Sequence, residues 1–174
     1  MQSEFVRIPH ERIAVLIGKD GKTKVIIEKK TSTKLDIDSS SGEVEIKGKM
    51  ADEKFIKAGS IVKAVGRGFS PEHALRLLES DIFLHTIDLD EYAKSERQMQ
   101  SKRGRIIGKH GKAREEIEDD TGAVVSVYGR TVGIIGSEEE IDRARRSVDM
   151  LLRGASHEKV FDYLKKPGRK RFEL

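Results

Sequence analysis

Residues 106–112 read Ile-Ile-Gly-Lys-His-Gly-Lys, and residues 16–22 read Leu-Ile-Gly-Lys-Asp-Gly-Lys. The two stretches lie 90 residues apart, and the same spacing aligns apolar positions beyond them, such as Ile27 with Ile117 and Leu35 with Val125. Apolar residues fall at equivalent positions over about thirty residues, with one short gap, which indicates a tandem repeat. The Gly-x-x-Gly stretch and its flanks therefore decide the fold of both halves of the chain.

Apolar periodicity predicts the same order of elements in each repeat. In the first repeat it predicts a strand at 5–8, helices at 10–17 and 22–30, strands at 34–38 and 43–47, and a helix from Asp52 to about Val65. In the second it predicts a strand at 82–89, helices at 95–107 and 112–120, strands at 123–128 and 131–135, and a helix at 138–152. Val25, Ile26 and Ile27 are predicted to face inward. The order βααββα, present twice, predicts an α+β fold in which each three-stranded antiparallel sheet packs on three helices.

Turn-forming residues mark the boundary between the repeats. Gly66-Arg67-Gly68 breaks the preceding helix, and Ser70 with Pro71 is typical of a helix start. We therefore expect a first domain at 1–68, a connecting helix at 69–80, a second domain at 81–153, and a C-terminal helix with a basic tail at 154–174.

A Gly-x-x-Gly loop that precedes a helix suits the binding of a phosphate chain. The helix begins with unpaired amides and a positive dipole end, which favour an anion. Glycine has no Cβ, so a sugar-phosphate backbone can approach the loop closely. The predicted RNA-binding residues of the two loops are Gly18, Lys19, Asp20, Gly21 and Lys22, and Gly108, Lys109, His110, Gly111 and Lys112.

Charge is distributed unevenly along the chain, although Lys and Arg exceed Asp and Glu by only 34 to 30. Residues 97–114 contain no acid, and a run of acids follows directly. This basic segment adds Arg103, Arg105 and Arg114 to the predicted contacts. A second basic cluster at 165–171 could follow a phosphate backbone as a tail.

The loop motif, the helix after it, Thr121-Gly122-Ala123 and an alternating strand together resemble a KH domain of type I, over residues 5–65 and 82–152. Such a module clamps about four nucleotides of single-stranded RNA. With the segment 67–75, the chain is also similar to archaeal relatives of the pre-40S ribosome assembly factor known as the partner of the site-D nuclease. The resemblance implies ribosome biogenesis, binding of small-subunit rRNA near its 3′ end, and a pre-rRNA nuclease or other assembly or initiation factors as protein partners.

One departure from this family concerns the first loop. Eukaryotic members tend to lose the glycines of the first module, whereas Gly18 and Gly21 are present here. Either both modules bind RNA, or the first keeps its loop mainly for folding. Because Asp20 puts a negative charge where a phosphate would lie, we expect the second module to be the main site.

Several classes of function find little support in the sequence. Without cysteine, disulfides and thiolate zinc sites are excluded. Neither a membrane span nor a signal peptide is evident, so we expect a cytoplasmic protein. Gly21-Lys22-Thr23 is similar to the end of a Walker A loop, but a helix precedes it where that motif needs a strand. We expect no catalytic residues, no metal site and no cofactor.

Three alternatives remain open at this point. The chain could be a scaffold that mainly binds proteins, a general KH-type RNA regulator, or an RNA-processing enzyme. The glycine loops could also be plain turns between helices, and segment 97–114 a solvated helix face. RNA-binding loops predict that Gly108→Asp with Gly111→Asp weakens RNA binding without unfolding the protein.

Overall fold

The structure is a computed structural model, and it describes residues 1–49 and 51–167. The chain divides into two compact units, Met1–Leu84 and His85–Leu174, here called module 1 and module 2. The division falls inside the first strand of the second sheet. The domain limits expected at 68, 80 and 153 stay predictions.

Module 1 forms one three-stranded antiparallel sheet with helices on one side. Its elements are β1 (Gln2–Arg7), α1 (His10–Ile17), α2 (Lys22–Thr31), β2 (Lys34–Ile37), β3 (Glu43–Gly48), α3 (Glu53–Gly66) and α4 (Pro71–Leu75). The strand order is β1-β3-β2. Val6 lies opposite Val44, and Leu35 lies opposite Ile46. All four side chains are buried, so this face of the sheet meets the helices.

Module 2 repeats this plan with one longer helix at its end. Its elements are β4 (Phe83–Asp88), α5 (Glu96–Ile107), α6 (Lys112–Thr121), β5 (Val124–Tyr128), β6 (Thr131–Gly136), α7 (Glu138–Leu152) and α8 (His157–Lys165). The strand order is β4-β6-β5, which matches that of module 1. Val125 lies opposite Ile134, and both belong to a core that also takes Val160 and Leu164 from α8.

The predicted order βααββα is confirmed in both modules. Local signals explain why the starts of four helices were predictable. The N-cap residues Asp52, Ser70, Ser95 and Ser137 each accept a hydrogen bond from a backbone amide. The inward prediction for α2 is wrong in part. Ile27 is fully buried, but Val25 and Ile26 are 44% and 41% exposed.

The repeat extends further than the sequence comparison detected. Gly68-Phe69-Ser70 and Gly154-Ala155-Ser156 each follow the last helix of the βααββα unit. The two glycines have φ angles of 95° and 97°. The two serines accept hydrogen bonds of 3.2 Å from amides three residues later, those of His73 and Lys159. Helices α4 and α8 are therefore equivalent, and each closes its own module.

Within the residues that the structure describes, no helix has the length and apolar character needed to cross a membrane.

Candidate nucleic-acid interface

The two glycine loops have nearly the same backbone. Gly18 and Gly108 have φ, ψ angles of 73°, 174° and 74°, 176°. Gly21 and Gly111 have 71°, 11° and 74°, 10°. In both loops one non-glycine residue also takes a positive φ, 54° at Asp20 and 56° at His110. Asp and His are among the residue types that tolerate this region best. The backbone conformation at the third loop position is therefore compatible with both Asp20 and His110.

The first glycine of each loop is required by its own module. A Cβ on Gly18 would lie 2.2 Å from Oγ1 of Thr23, and one on Gly108 would lie 2.6 Å from Cβ of Ala113. Both contacts are shorter than nonbonded atoms allow. Any side chain here would push the start of the following helix away, so Gly18 and Gly108 fix the loop against α2 and α6.

The second glycine of each loop has free space around it. A Cβ on Gly21 or Gly111 would meet no heavy atom within 4 Å. Packing inside the module therefore does not require glycine at this position, although the positive φ favours it. The surface next to Gly21 and Gly111 stays open to the backbone of a ligand.

Helices α2 and α6 begin without a side-chain cap. Among the described residues, five of the eight α-helices start with a side-chain cap, and the other three are α1, α2 and α6. The N-cap residues of α2 and α6 are Gly21 and Gly111. The positive ends of these two helix dipoles therefore face solvent at the loops, where an anion can bind.

Six predicted contact residues of the loops lie at the surface and are exposed, namely Lys19, Asp20, Lys22, Lys109, His110 and Lys112. The four lysines give each loop two ammonium groups beside its uncapped helix. Asp20 reduces the positive charge of the first loop, whereas His110 does not. The structure thus brings the loop residues of each module together as the sequence predicted, and their role in binding RNA stays a prediction.

Arg103 and Arg105 have partners inside module 2. Arg103 donates to the carbonyl of Gly129 at 2.7 Å and pairs with Glu96 at 3.1 Å. Arg105 donates to the carbonyls of Leu151, at 3.1 Å, and Ala155. Both guanidinium groups are half-buried by these contacts. Arg105 therefore connects α5 to the end of α7, and an additional contact with RNA stays a prediction.

Arg114 lies on α6 beside the edge strand β5. It pairs with Glu118 at 3.3 Å and donates to the carbonyl of Val125 at 3.4 Å. In module 1 the equivalent pair is Lys24 with Glu28, 4.0 Å apart. The same Glu28 accepts the amide of Leu35 at 2.9 Å on the edge strand β2. In both modules the helix after the loop therefore carries a charged pair, and one member of that pair also bonds to the backbone of the edge strand.

Gly104, one turn before the second loop, was not among the contact residues predicted from the sequence. Its carbonyl accepts the amide of Gly108 at 2.8 Å, and its surface is exposed. A Cβ on Gly104 would meet nothing within 4 Å. Glycine inside a helix costs stability relative to alanine, and Ala14 occupies the equivalent position in module 1. The sequence therefore contained a signal at this position. Gly104 is a glycine inside a helix, beside the loop, and packing within the module does not require it.

Other predictions concern residues or groups away from the loops. Lys165 and Lys166 of the C-terminal basic cluster are exposed, and its remaining basic residues, 169–171, lie outside the described residues. In the part of the chain that the structure describes, no three His, Cys, Asp or Glu side chains come close enough to hold a metal ion.

Family models match both modules. A model described as a eukaryotic-type KH domain (KH domain type I) matches residues 83–169, and a KH-domain model matches residues 3–58. The two matches cover the loops, the sheets and most of the helices described above.

Similar proteins agree with these matches. A KH domain-containing protein of Methanocaldococcus jannaschii is 47% identical over 98% of this chain and 78% of its own length. The pre-rRNA-processing protein PNO1 of Chaetomium thermophilum is 26% identical over 95% of this chain, which spans 66% of that protein. Among solved structures, Dim2p in a complex of a/eIF2alpha, aDim2p and rRNA from Pyrococcus horikoshii is 48% identical, with a TM-score of 0.87 over 94% of this chain and 92% of that one.

The repeated fold, the two glycine loops and these similarities lead to one assignment. The chain belongs to the KH-domain family, as a tandem KH-domain homologue of archaeal Dim2p and eukaryotic PNO1.

Proposed function

We propose that the protein binds single-stranded rRNA near the 3′ end of the small-subunit rRNA, as a ribosome biogenesis factor. The observation that carries the proposal is the pair of matching glycine loops, each open at its second glycine and each followed by an uncapped helix. The names of similar proteins support the ribosomal context, since one is a pre-rRNA-processing protein and another is part of a complex with rRNA.

The proposed mechanism is a clamp on the sugar-phosphate chain. Phosphates lie at the N-termini of α2 and α6, where amides and the helix dipole attract them. Lysines at the second position of each loop and at the start of each helix add charge-assisted hydrogen bonds. The open side of Gly21 and Gly111 lets the chain pass without a steric clash. Bases then lie between the helix and the edge strand, as in KH modules generally.

We propose that module 2 contributes more of the binding free energy than module 1. The two loops have the same backbone and differ at one exposed position, Asp20 against His110. A carboxylate at that position repels a phosphate, whereas an imidazole can donate to it. The wider proposal includes a binding role without catalysis, a cytoplasmic location, and a pre-rRNA nuclease or other assembly or initiation factors as protein partners. The complex of a relative with a/eIF2alpha supports such an initiation-factor partner.

The structure changes the choice of test variant. A Cβ at Gly108→Asp would lie against Ala113 and displace the start of α6, so a loss of RNA binding in that variant would not distinguish a lost contact from a distorted loop. Lys109→Asp with His110→Asp is suitable instead, because both residues are exposed. Aspartate also occupies the backbone conformation of His110 in the first loop, at Asp20.

The test measures the affinity of the full chain for a short single-stranded RNA that copies the 3′ end of small-subunit rRNA, at fixed salt. We expect Lys109→Asp with His110→Asp to weaken binding by about tenfold or more, since two contacts near phosphates become repulsive. Lys159→Asp, at an exposed lysine of α8, is the control and should bind as the unmodified chain does. A scrambled RNA reports selectivity. Equal affinity of the loop variant and the control would contradict the proposal and favour a scaffold that binds proteins.

A further inference from the structure

Helix α2 has an apolar side that faces solvent and is not packed against the rest of module 1. The helix buries Ile27 and Thr31. Val25 and Ile26 lie about 200° and 100° around the helix from Ile27, and they are 44% and 41% exposed. They belong to the few large hydrophobic residues that the described part of the chain leaves at its surface.

Lysines surround these two side chains. Lys22, Lys29 and Lys30 are exposed and lie on the same side of α2. None of the three forms an ion pair with another residue among positions 1–49 and 51–167. The one acid of the helix, Glu28, is engaged with Lys24 and with the amide of Leu35. The outer side of α2 therefore combines an apolar centre with an unneutralised basic rim. We call these five residues, Lys22, Val25, Ile26, Lys29 and Lys30, the α2 face.

Module 2 provides an internal comparison. Helix α6 has the same length as α2 and buries the equivalent residues, Ile117 and Thr121. At the positions of Val25 and Ile26 it has Glu115 and Glu116, and Asp119 takes the position of Lys29. Helix α6 contains five acidic and two basic residues, whereas α2 contains one acidic and four basic residues. The fold accepts charged residues at these positions, so the α2 face is not needed for folding.

Val and Ile at these positions also disfavour the helix. β-Branched residues lose side-chain freedom in a helix and have lower propensity there than Glu or Lys. Among the exposed large hydrophobic residues of the described part of the chain, Val25 and Ile26 are the only two that are adjacent in sequence. Contiguous apolar side chains at a polar surface are typical of an interaction site.

We propose that the α2 face docks an amphipathic helix of a partner protein, with an apolar stripe on Val25 and Ile26 and acidic residues opposite the three lysines. Carboxylates complement the ammonium groups, and aliphatic side chains complement branched aliphatic ones. RNA fits less well, because Val and Ile offer no flat surface on which a base can stack. The α2 face shares Lys22 with the first glycine loop, but Val25, Ile26, Lys29 and Lys30 are not among the predicted RNA contacts, so the proposal adds a second kind of ligand to module 1.

The size of the α2 face sets the expected strength of binding. A stable complex between folded proteins buries about 1,200–2,000 Å², which is more than five side chains provide. A single helix laid on a few anchor residues is the recognition mode that matches this size. We therefore expect a modest affinity, with a Kd on the order of ten micromolar.

The test uses the full chain and a fluorescein-labelled helical peptide of about 16 residues, with leucines at i, i+4 spacing and glutamates beside them. A matched peptide has lysine in place of every glutamate. We expect the acidic peptide to bind and the basic one not to bind, as measured by fluorescence anisotropy. Val25→Glu with Ile26→Glu, which copies α6, should reduce binding by about tenfold or more. Rescue is expected in module 2, where Glu115→Val, Glu116→Ile and Asp119→Lys should create a second site for the same peptide.

RNA affinity and molecular mass separate the alternatives. Val25→Gln with Ile26→Gln, which removes the apolar centre without adding negative charge beside the first loop, should weaken peptide binding, leave the affinity for single-stranded RNA unchanged and not lower the thermal unfolding midpoint. Equal peptide binding by this variant and the unmodified chain would overturn the proposal. So would a loss of RNA affinity without a change in peptide binding, which would assign the face to RNA. A dimer of the unmodified chain that the variant abolishes would assign the face to a second copy, and would also overturn it.

Discussion

At the scale of single residues, Gly108 and Gly111 share a positive φ and differ in their surroundings. Gly108 lies against Ala113, whereas Gly111 has open space. Steric contact and backbone conformation therefore both require glycine at 108, and only backbone conformation favours it at 111. The same distinction holds for Gly18 and Gly21 in module 1.

Alanine substitution should separate these two requirements. Gly111→Ala should cost about 1–2 kcal/mol, the strain of a left-handed conformation with a Cβ. Gly108→Ala should cost more, because a Cβ at 2.6 Å from that of Ala113 also displaces the start of α6. Urea unfolding followed through amide signals of module 2 measures both. Equal costs would show that the contact with Ala113 relaxes freely.

Gly104 provides a second prediction at this scale. Gly104→Ala should stabilise module 2 by roughly 0.5–1 kcal/mol, because alanine is a better helix former and meets no neighbour. The same substitution should weaken RNA binding by about fivefold or more, since overpacking a close contact costs about 1 kcal/mol. Ala14→Gly in module 1 is the reverse control and should lower stability. Higher stability with unchanged RNA affinity would show that RNA does not approach α5 at Gly104.

Asp38 gives the β2–β3 turn a pH dependence. A hydrogen bond from the Ser40 hydroxyl, with further ones from the amide of Ser40 and from Ser41, lowers the pKa of Asp38 from 3.8 to about 2. Between these two values the folded state binds fewer protons than the unfolded state, so the stability of the turn rises with pH there. We expect the amide signals of Ser40 and Ser41 to shift as pH falls through about 2. Asp38→Asn should remove this titration, and an unchanged titration in that variant would assign it to another group.

At the scale of elements, basic side chains of α1 and α5 hold the ends of α3 and α7 in their own modules. Arg12 donates to the carbonyls of Val65 and Phe69 at 2.8 and 2.7 Å. In module 2, Lys102 donates to Leu152, and Arg105 to Leu151 and Ala155. The carbonyls of Val65, Leu151 and Leu152 lie at a helix C-terminus, where cations are favourable, and those of Phe69 and Ala155 follow three residues after a helix end. The helix before each glycine loop is thereby fixed to the rest of its module.

Arg105 and Lys109 should respond differently to the loss of charge. Arg105→Met should lower the stability of module 2 by about 1.5–3 kcal/mol, because two carbonyls lose a charged donor. Lys109→Met should leave stability unchanged and weaken RNA binding. Thermal unfolding and RNA titration of both variants test this pair. A larger loss of RNA affinity for Arg105→Met than for Lys109→Met would show that Arg105 also contacts RNA.

The elements themselves were predictable, and these long-range contacts were not. Capping serines, glycine breaks and apolar periodicity are local signals, so α7 was predicted at 138–152, where the structure has it. The same periodicity placed Val25 and Ile26 inward, because three adjacent apolar residues do not reveal which one faces the core. The role of Arg105 depends on residues about fifty positions away, which no local pattern contains.

At the scale of the whole molecule, binding at both loops would make RNA affinity strongly dependent on salt. Four loop lysines near four phosphates should give a slope of log affinity against log salt of about −3, at roughly −0.7 for each neutralised phosphate of a single strand. Lys109→Ala with Lys112→Ala should reduce the slope by about half. Titrations at several salt concentrations measure both slopes. An unchanged slope in the variant would show that the second loop does not contact phosphates.

The duplication could be recognised from the sequence only where both copies keep similar residues. The glycine loops and their flanks do so, and they identified the fold. Helices α4 and α8 share only Gly-x-Ser and a Glu two residues after the serine. Their equivalence becomes visible through the φ angles of Gly68 and Gly154 and the matching caps, which are properties of the backbone rather than of residue identity.

The agreement of the two loop backbones has a consequence for the kinetics of binding. Because Gly18 and Gly108 are held against the following helices, each loop has its shape before a ligand arrives, and only the RNA loses conformational freedom on binding. The association rate should then be set by diffusion and by attraction between charges, and should fall as salt increases. Differences between RNA sequences should appear in the dissociation rate, so that residence time distinguishes a correct target from a chance encounter.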